Sequence, residues 1–236
     1  MTASENNSKA DPKASAADKD ALIEERRQYA TGTLERAQLA ASPFKQFEFW
    51  LAEARKAGLI DATSVALTSV DADARPHTRV VLLKQFDDQG FVWFTDQTSD
   101  KAQQIAANSA VCMLFFWREL ERQVRIEGRA HKVPAEVSDE YFYSRPQESR
   151  FSAAASKQSS VVANRAVLEA QVQALRDAHP EGDVARPEHW GGYQLVPDYF
   201  EFWQGRNDRL HDRFVYRQKT SGETNQENWQ IDRLSP

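Results

Sequence analysis

The sequence has a single cysteine, Cys112. That excludes a disulfide framework and a cysteine-rich metal site. The thiol sits in the apolar run AVCMLFFW and reads as inert core, in keeping with a reducing, cytoplasmic setting. No apolar run is long enough to span a bilayer, and the N-terminus lacks the apolar core of a signal peptide. Net positive charge is also missing: 30 Lys and Arg against 35 Asp and Glu leave −5. Broad nucleic-acid binding is therefore disfavoured, and cations must matter locally if they matter at all. There is no G-x-G-x-x-G, no Walker loop and no alternating βαβ run, which speaks against a Rossmann domain or P-loop enzyme. The five histidines lack H-x-x-x-H spacing and cysteine partners, so no metal site is read.

What the 236 residues do have is an aromatic-rich core supply, with 13 Phe and 6 Trp in a chain that is 41% hydrophobic. Residues 1–20 carry no large apolar side chain except Met1 and read as a disordered tail. Residues 21–236 read as one domain with helical additions. ALIEERRQYATG predicts a short helix ending at Gly32. SPFKQFEFWLAEARKAG predicts a stronger one, with Ser42 as cap, Pro43 in the first turn, Gly58 at the end, and Phe44, Phe47, Leu51 and Ala54 on one face.

The period then changes. SVALTSV, TRVVLLKQF and FVWFTD read as strands of an antiparallel meander, separated by the turns DADARP and DDQG. SDKAQQIAAN reads as a helix capped by Ser99, AVCMLFFW as a fully buried strand, and ERQVRIEGRAHKV as an alternating one. Residues from PAEVSDEYFYSRP to His179 read as mostly helical, including the amphipathic RAVLEAQVQALRDAH. Strands return in GGYQLVPDYFEFWQ, LHDRFVYRQ and NWQIDRL, with TSGETNQ as a hairpin turn. Late strands that close a sheet begun by early ones predict an antiparallel barrel with peripheral helices, an α+β chain that is mainly β.

Five stretches could carry chemistry. In RVVLLK, period two puts Arg79, Val81 and Leu83 on one face and Val80, Leu82 and Lys84 on the other. The cations could serve two anions or merely snorkel from strand ends. Ser99 and Lys101 sit at a helix start, which favours an anion or is only a cap. In YFYSRPQES, Tyr141 and Arg145 share a helix face and Ser149 follows, a phosphate-type donor set or an ordinary helix end. SKQSS could cradle a phosphate or cap a helix. In RLHDRF, a strand would align Arg209, His211 and Arg213 in one row. Such a row repels itself unless it faces an anionic or electron-rich group, or pairs with Asp208, Asp212 and Glu201. Several phosphate-type donor sets without a nucleophile triad point to a phosphorylated cofactor.

From about Leu22 to Pro236, the chain closely resembles the pyridoxine/pyridoxamine 5′-phosphate oxidase family. RVVLLK, ERQVRIEG, YFYSRPQES, SKQSS, EFWQG…RLHDRF and WQIDRLSP occur in the family's order. The resemblance implies a split β-barrel and a homodimer with FMN at the subunit interface. It implies oxidation of pyridoxamine or pyridoxine 5′-phosphate to pyridoxal 5′-phosphate, with hydride passing from C4′ to flavin N5, O2 as acceptor, H2O2 released, and ammonia from the amine. By resemblance, Arg79, Lys101, Gln158 and Ser159 hold the FMN phosphate. Val80, Val81, Leu82, Leu83 and Lys84 run along the flavin, Phe94 and Thr95 belong to the same site, Gln123 and Trp203 contact the ring, and Arg213 lies at its pyrimidine end. Lys84, Tyr141, Arg145 and Ser149 take the substrate phosphate. Arg209, Leu210 and His211 lie over the pyridine, with Arg209 and His211 as catalytic candidates; His211 is either a base or an orienting group.

Two positions depart from the family. Asp100 stands where the family often has arginine, and Phe94 where tyrosine is common. Arg26 and Tyr29 match a segment that folds over the substrate. Rival readings are a split-barrel reductase, which would lack the YFYSRPQES and RLHDRF sets, and a non-catalytic flavin- or pyridoxal phosphate-binding protein, which would bind ligand without making peroxide.

Overall fold

The computed structural model describes residues 28–219 and 229–236. The expected N-terminal tail, Arg26, most of the helix expected over residues 21–32 and the turn TSGETNQ lie outside the described residues; residues 28–32 carry no helix.

Helix α1 (Pro43–Lys56) forms where its sequence predicts, with Pro43 in its first turn, but the Ser42 side chain makes no capping hydrogen bond. Ser42 precedes it in extended conformation, and Gly58 follows at φ +72, a left-handed position suited to glycine. Phe47, Trp50, Leu51 and Ala54 are buried on its inner face. The Phe47 ring lies 5.0 Å from those of Phe91 and Phe115, so the helix plugs an aromatic core.

Among the described residues, nine strands follow: β1 (Ser64–Val70), β2 (Pro76–Leu82), β3 (Gln85–Asp87), β4 (Gly90–Asp96), β5 (Ala110–Trp117), β6 (Arg122–Lys132), β7 (Trp190–Gln204), β8 (Asp212–Gln218) and β9 (Trp229–Leu234). Helix α2 (Asp100–Ala107) precedes β5, and α3 (Ala135–Ser144), α4 (Gln147–Ala155) and α5 (Arg165–Ala178) lie between β6 and β7. Every pairing is antiparallel, in the order β2-β1-β5-β6-β7-β4-β3, with β8 on β7 and β9 on β8.

The expected meander is therefore broken. β2 and β3 stand at opposite ends of the sheet order, yet only Leu83 and Lys84 separate them in sequence. A two-residue link between the two ends forces the sheet to curl on itself. The Leu83 amide donates to Thr63 O and the Lys84 amide to Val92 O across that seam. The result is a curled, antiparallel split half-barrel.

β7 is its spine. One edge pairs with β6 along its length; the other pairs with β4 through Trp190–Leu195 and with β8 through Tyr199–Gln204. A bulge at Asp198 shifts the register between Glu127 and Gly128. A Cβ on Gly128 would meet Val196 O at 2.1 Å, so this close approach requires glycine.

Two strand readings need correction. β5 is not fully buried: its residues alternate and Phe116 is 58% exposed, because only one face of an antiparallel sheet meets this core. Cys112 is half-buried, and burial raises its thiol pKa to about 11, consistent with inertness. The last hairpin strand starts at Asp212, not Leu210. The preceding turn places Asp208 at φ 56 and Arg209 at φ 60, which no strand accommodates. Arg209, His211 and Arg213 therefore do not form one strand row.

Candidate active site

A cleft of about 1220 Å³ opens between β2, β4, α2, α3 and the loop after α4. Its walls include Arg79, Val80, Val81, Leu82, Lys84, Phe94, Thr95, Lys101, Tyr141, Arg145, Ser149, Gln158 and Ser159. These sequence-predicted residues come from segments up to 80 positions apart (79 to 159), so the fold and not local sequence gathers them. Leu83 is the exception on β2's run: it is buried in the core, and its amide is already bonded to Thr63 O.

One end of the cleft is built for an anion. Lys101, in the first turn of α2, is buried, and its ammonium donates to Thr95 Oγ1 at 2.9 Å, to Ser99 Oγ at 3.3 Å and to Gln158 Oε1. Arg79 donates to Ser69 Oγ at 2.7 Å, Leu67 O at 3.1 Å and Gln104 Oε1 at 2.9 Å, which fixes its guanidinium. Burial, then the Arg79 charge, lowers the Lys101 pKa to about 8, while Asp96 and Asp100 oppose the shift. Burial also lowers the Arg79 pKa, opposed by Asp100. Two partly desolvated cations side by side are stabilised by an incoming dianion.

The other end is aromatic and cationic. Phe94 stacks on Tyr141 at 4.0 Å and on Trp190 at 5.6 Å. The Arg145 guanidinium lies 4.8 Å from the Trp190 ring centroid, and its Nη1 is buried without a hydrogen-bond partner. Burial lowers the Arg145 pKa. An orphaned guanidinium N–H in a cleft wall is costly unless a ligand oxygen meets it. Ser149 and Lys84 line the same end. The chemistry of the two donor sets thus fits a phosphorylated cofactor and a phosphorylated substrate.

The remaining predicted residues form a second cluster. The His211 ring lies 4.7 Å from Trp203 and 5.3 Å from Tyr29. Its Nδ1 accepts the Arg206 amide at 3.1 Å, which assigns the proton of the neutral ring to Nε2. Burial, then Arg209, lowers its pKa, with Asp212 opposing. Arg213 donates to Glu201 Oε1 at 2.8 Å, and Arg125 donates to Glu201 Oε2 at 2.8 Å. Burial alone would raise the Glu201 pKa, but these two arginines hold it below the ordinary value. Gln123 sits opposite Trp203 in the β6–β7 register. Arg209 and Leu210 are exposed on the turn.

Within one chain the two clusters do not meet. Trp190 lines the cleft at the start of β7, and Trp203 lies thirteen residues further along the same strand. At roughly 3.3 Å per residue that is on the order of 40 Å of strand.

Sequence reasoning missed Trp190, Gln104 and Asp96, all in the cleft wall. Gln104 was findable, since it lies three residues after Lys101 on one helix face. Trp190 and Asp96 carry no local signal.

Residues 51–179 match the family described as Pyridoxamine 5'-phosphate oxidase, and residues 190–236 match the Pyridoxine 5'-phosphate oxidase C-terminal dimerisation region. The chain is 49% identical over 212 residues to pyridoxine/pyridoxamine 5′-phosphate oxidase 1 of Hydrogenovibrio crunogenus, covering 90% of this chain and 96% of that protein. It is 48% identical over 215 residues to the Burkholderia lata protein named pyridoxine/pyridoxamine 5′-phosphate oxidase, covering 91% and 99%. Among solved structures, PhzG from Burkholderia lata, in complex with tetrahydrophenazine-1-carboxylic acid, superposes with a TM-score of 0.78 at 28% identity over 86% of this chain and 98% of that one. A pyridoxamine 5′-phosphate oxidase-related, FMN-binding protein of Nostoc punctiforme gives 0.63 at 14% identity over 84% and 100%, a likeness of fold alone.

Proposed function

The chain belongs to the pyridoxine/pyridoxamine 5′-phosphate oxidase family, and from that premise we propose that it is an FMN-dependent oxidase that makes pyridoxal 5′-phosphate from pyridoxamine and pyridoxine 5′-phosphates. The observation that carries this reading is the pair of phosphate-type donor sets at the two ends of one cleft. Lys101, Arg79, Thr95, Gln158 and Ser159 would hold the cofactor phosphate. Arg145, Ser149, Tyr141 and Lys84 would hold the substrate phosphate, with the buried Nη1 of Arg145 meeting a phosphate oxygen. Bound FMN would supply the redox chemistry, a two-electron oxidation of the substrate at C4′ with O2 and two protons ending as H2O2, and the imine formed from the amine would add water and release ammonia.

The second cluster would reach this cleft from another copy of the chain. About 40 Å of β7 separates the two halves, and the C-terminal segment that carries Trp203, Arg209, His211 and Arg213 matches a dimerisation region. A two-fold dimer would then complete two equal sites. With Nδ1 occupied by the Arg206 amide, His211 offers an N–H at Nε2. That favours orienting the substrate over accepting its proton.

The test is an anaerobic half-reaction. FMN-loaded protein is mixed with pyridoxamine 5′-phosphate and the flavin absorbance followed. Bleaching, then recovery with peroxide when oxygen is admitted, is the expected result. Bound flavin that stays oxidised would sink the oxidase reading.

A further inference from the structure

Asp96, at the end of β4, is 5% exposed. Its Oδ1 accepts both the amide and the hydroxyl of Thr98 at 2.6 Å. Its Oδ2 accepts the Gln158 amide at 3.1 Å and lies 3.8 Å from His189 Nε2. One carboxylate therefore ties the 95–101 turn to a loop about sixty residues further along.

The tied loop is under strain. Ser159 has φ +71, a left-handed conformation that serine rarely adopts. It is held on both sides: the preceding Gln158 amide is fixed by Asp96, and Ser159 Oγ accepts the Asp100 amide at 3.2 Å. Gln158 Oε1 meanwhile meets Lys101 Nζ and, at 2.8 Å, Thr95 Oγ1. The anion-facing atoms of two separate segments thus depend on one buried acid.

We propose that Asp96 is a positioning residue for the cofactor phosphate: its carboxylate latches the 156–160 loop onto the 95–101 turn and so sets the donor array of Thr95, Lys101, Gln158 and Ser159. The inference rests on the flavin reading above. The charge of Asp96 has a second effect. Charged groups bearing on Lys101 are Arg79 from β2, Asp96 from β4 and Asp100 from its own helix, with His189 facing Asp96 in turn. Removing the Asp96 charge removes one of the two acids that keep Lys101 protonated.

The experiment compares wild type, Asp96→Ala, Asp96→Asn and the control Thr98→Val as full chains. Binding of FMN and of riboflavin, which lacks the phosphate, is titrated on apoprotein across pH. Hydrogen exchange over residues 156–160 is measured in parallel. Asp96→Ala should weaken FMN by about tenfold or more and leave riboflavin within about twofold. Exchange in the loop should speed up. Asp96→Asn, which keeps an acceptor oxygen, should shift the alkaline loss of FMN binding to lower pH, a change that a purely structural role would not produce. Thr98→Val should keep FMN affinity within about twofold, because the link to Gln158 is intact. An unchanged FMN affinity in Asp96→Ala, or equal losses of FMN and riboflavin, would overturn the proposal. If wild type binds neither flavin, the functional reading itself fails; loop exchange unchanged by Asp96→Ala overturns the latch whether or not flavin binds.

Discussion

At Lys101, burial and the Arg79 charge bring the pKa from 10.5 to about 8. Between those values the folded chain holds fewer protons at this site than the unfolded chain, so this residue's contribution makes stability rise with pH across that window. Anion binding has the opposite dependence, because the anion is held by the charged form. FMN affinity is expected to fall as pH rises through about 8, measured by fluorescence titration of the apoprotein. Asp100 lines the same end of the cleft. As an acid in the first turn of α2 it complements the helix dipole, but it repels a phosphate. Asp100→Asn should therefore tighten FMN by about fivefold, roughly 1 kcal/mol, and the gain should shrink in high salt. At the opposite end, Arg145→Ala should raise KM for the phosphorylated substrate far more than it lowers kcat, since a handle remote from the reacting carbon supplies mostly uniform binding. Steady-state kinetics would decide; an unchanged KM would place the substrate phosphate elsewhere.

Among the elements, the β6–β7 ladder bears the tightest constraint. Gly128→Ala would drive a methyl group into Val196 O. A loss of about 2 kcal/mol or more is expected, read as a lower Tm, with the effect centred on the bulge. The same ladder shows what the sequence could and could not reveal. Val124 and Ile126 alternate with Gln123, Arg125 and Glu127, so the strand and its buried face were legible. So was α1, whose first-turn proline, terminal glycine and apolar stripe are local signals. The break between β2 and β3 was not legible: TRVVLLKQF reads as one strand, and only pairing of β4 with β7, about a hundred residues away, carries its end to the far side of the sheet order. Arg209 misled for a related reason. Alternating residue types suggest a strand, but a left-handed turn can interrupt any polar run without a glycine to announce it. The cleft's phosphate donors were legible as motifs. Trp190 and Asp96 were not, because their meaning depends on tertiary neighbours.

For the whole molecule, a site shared between copies makes a quantitative prediction. Arg145→Ala disables the cleft half, and Arg209→Ala the turn half. Assayed with substrate well below the raised KM of Arg145→Ala, each variant alone should retain little turnover. Co-folded at equal amounts, half of the dimers are mixed, and each mixed dimer regains one intact site, so about a quarter of wild-type activity should return. Arg209→Ala alone should retain FMN nonetheless, because the phosphate donors are on the other half. No recovery on mixing would mean that both halves act within one chain.

The bulge at Asp198 works as a phase shifter. Before it, the odd-numbered Tyr193 and Leu195 of β7 point into the core; after it, the even-numbered Phe200 and Phe202 do. One inserted residue thus inverts the parity of everything downstream. It turns Glu201 and Trp203 toward the same face as the Arg213 and His211 contacts that surround them. Removing Asp198 would leave the strand's composition nearly intact and yet exchange its two sides, putting Trp203 inward and the phenylalanines outward. A single-residue deletion there would damage core and site together, although Asp198 itself is an exposed acid with no part in either.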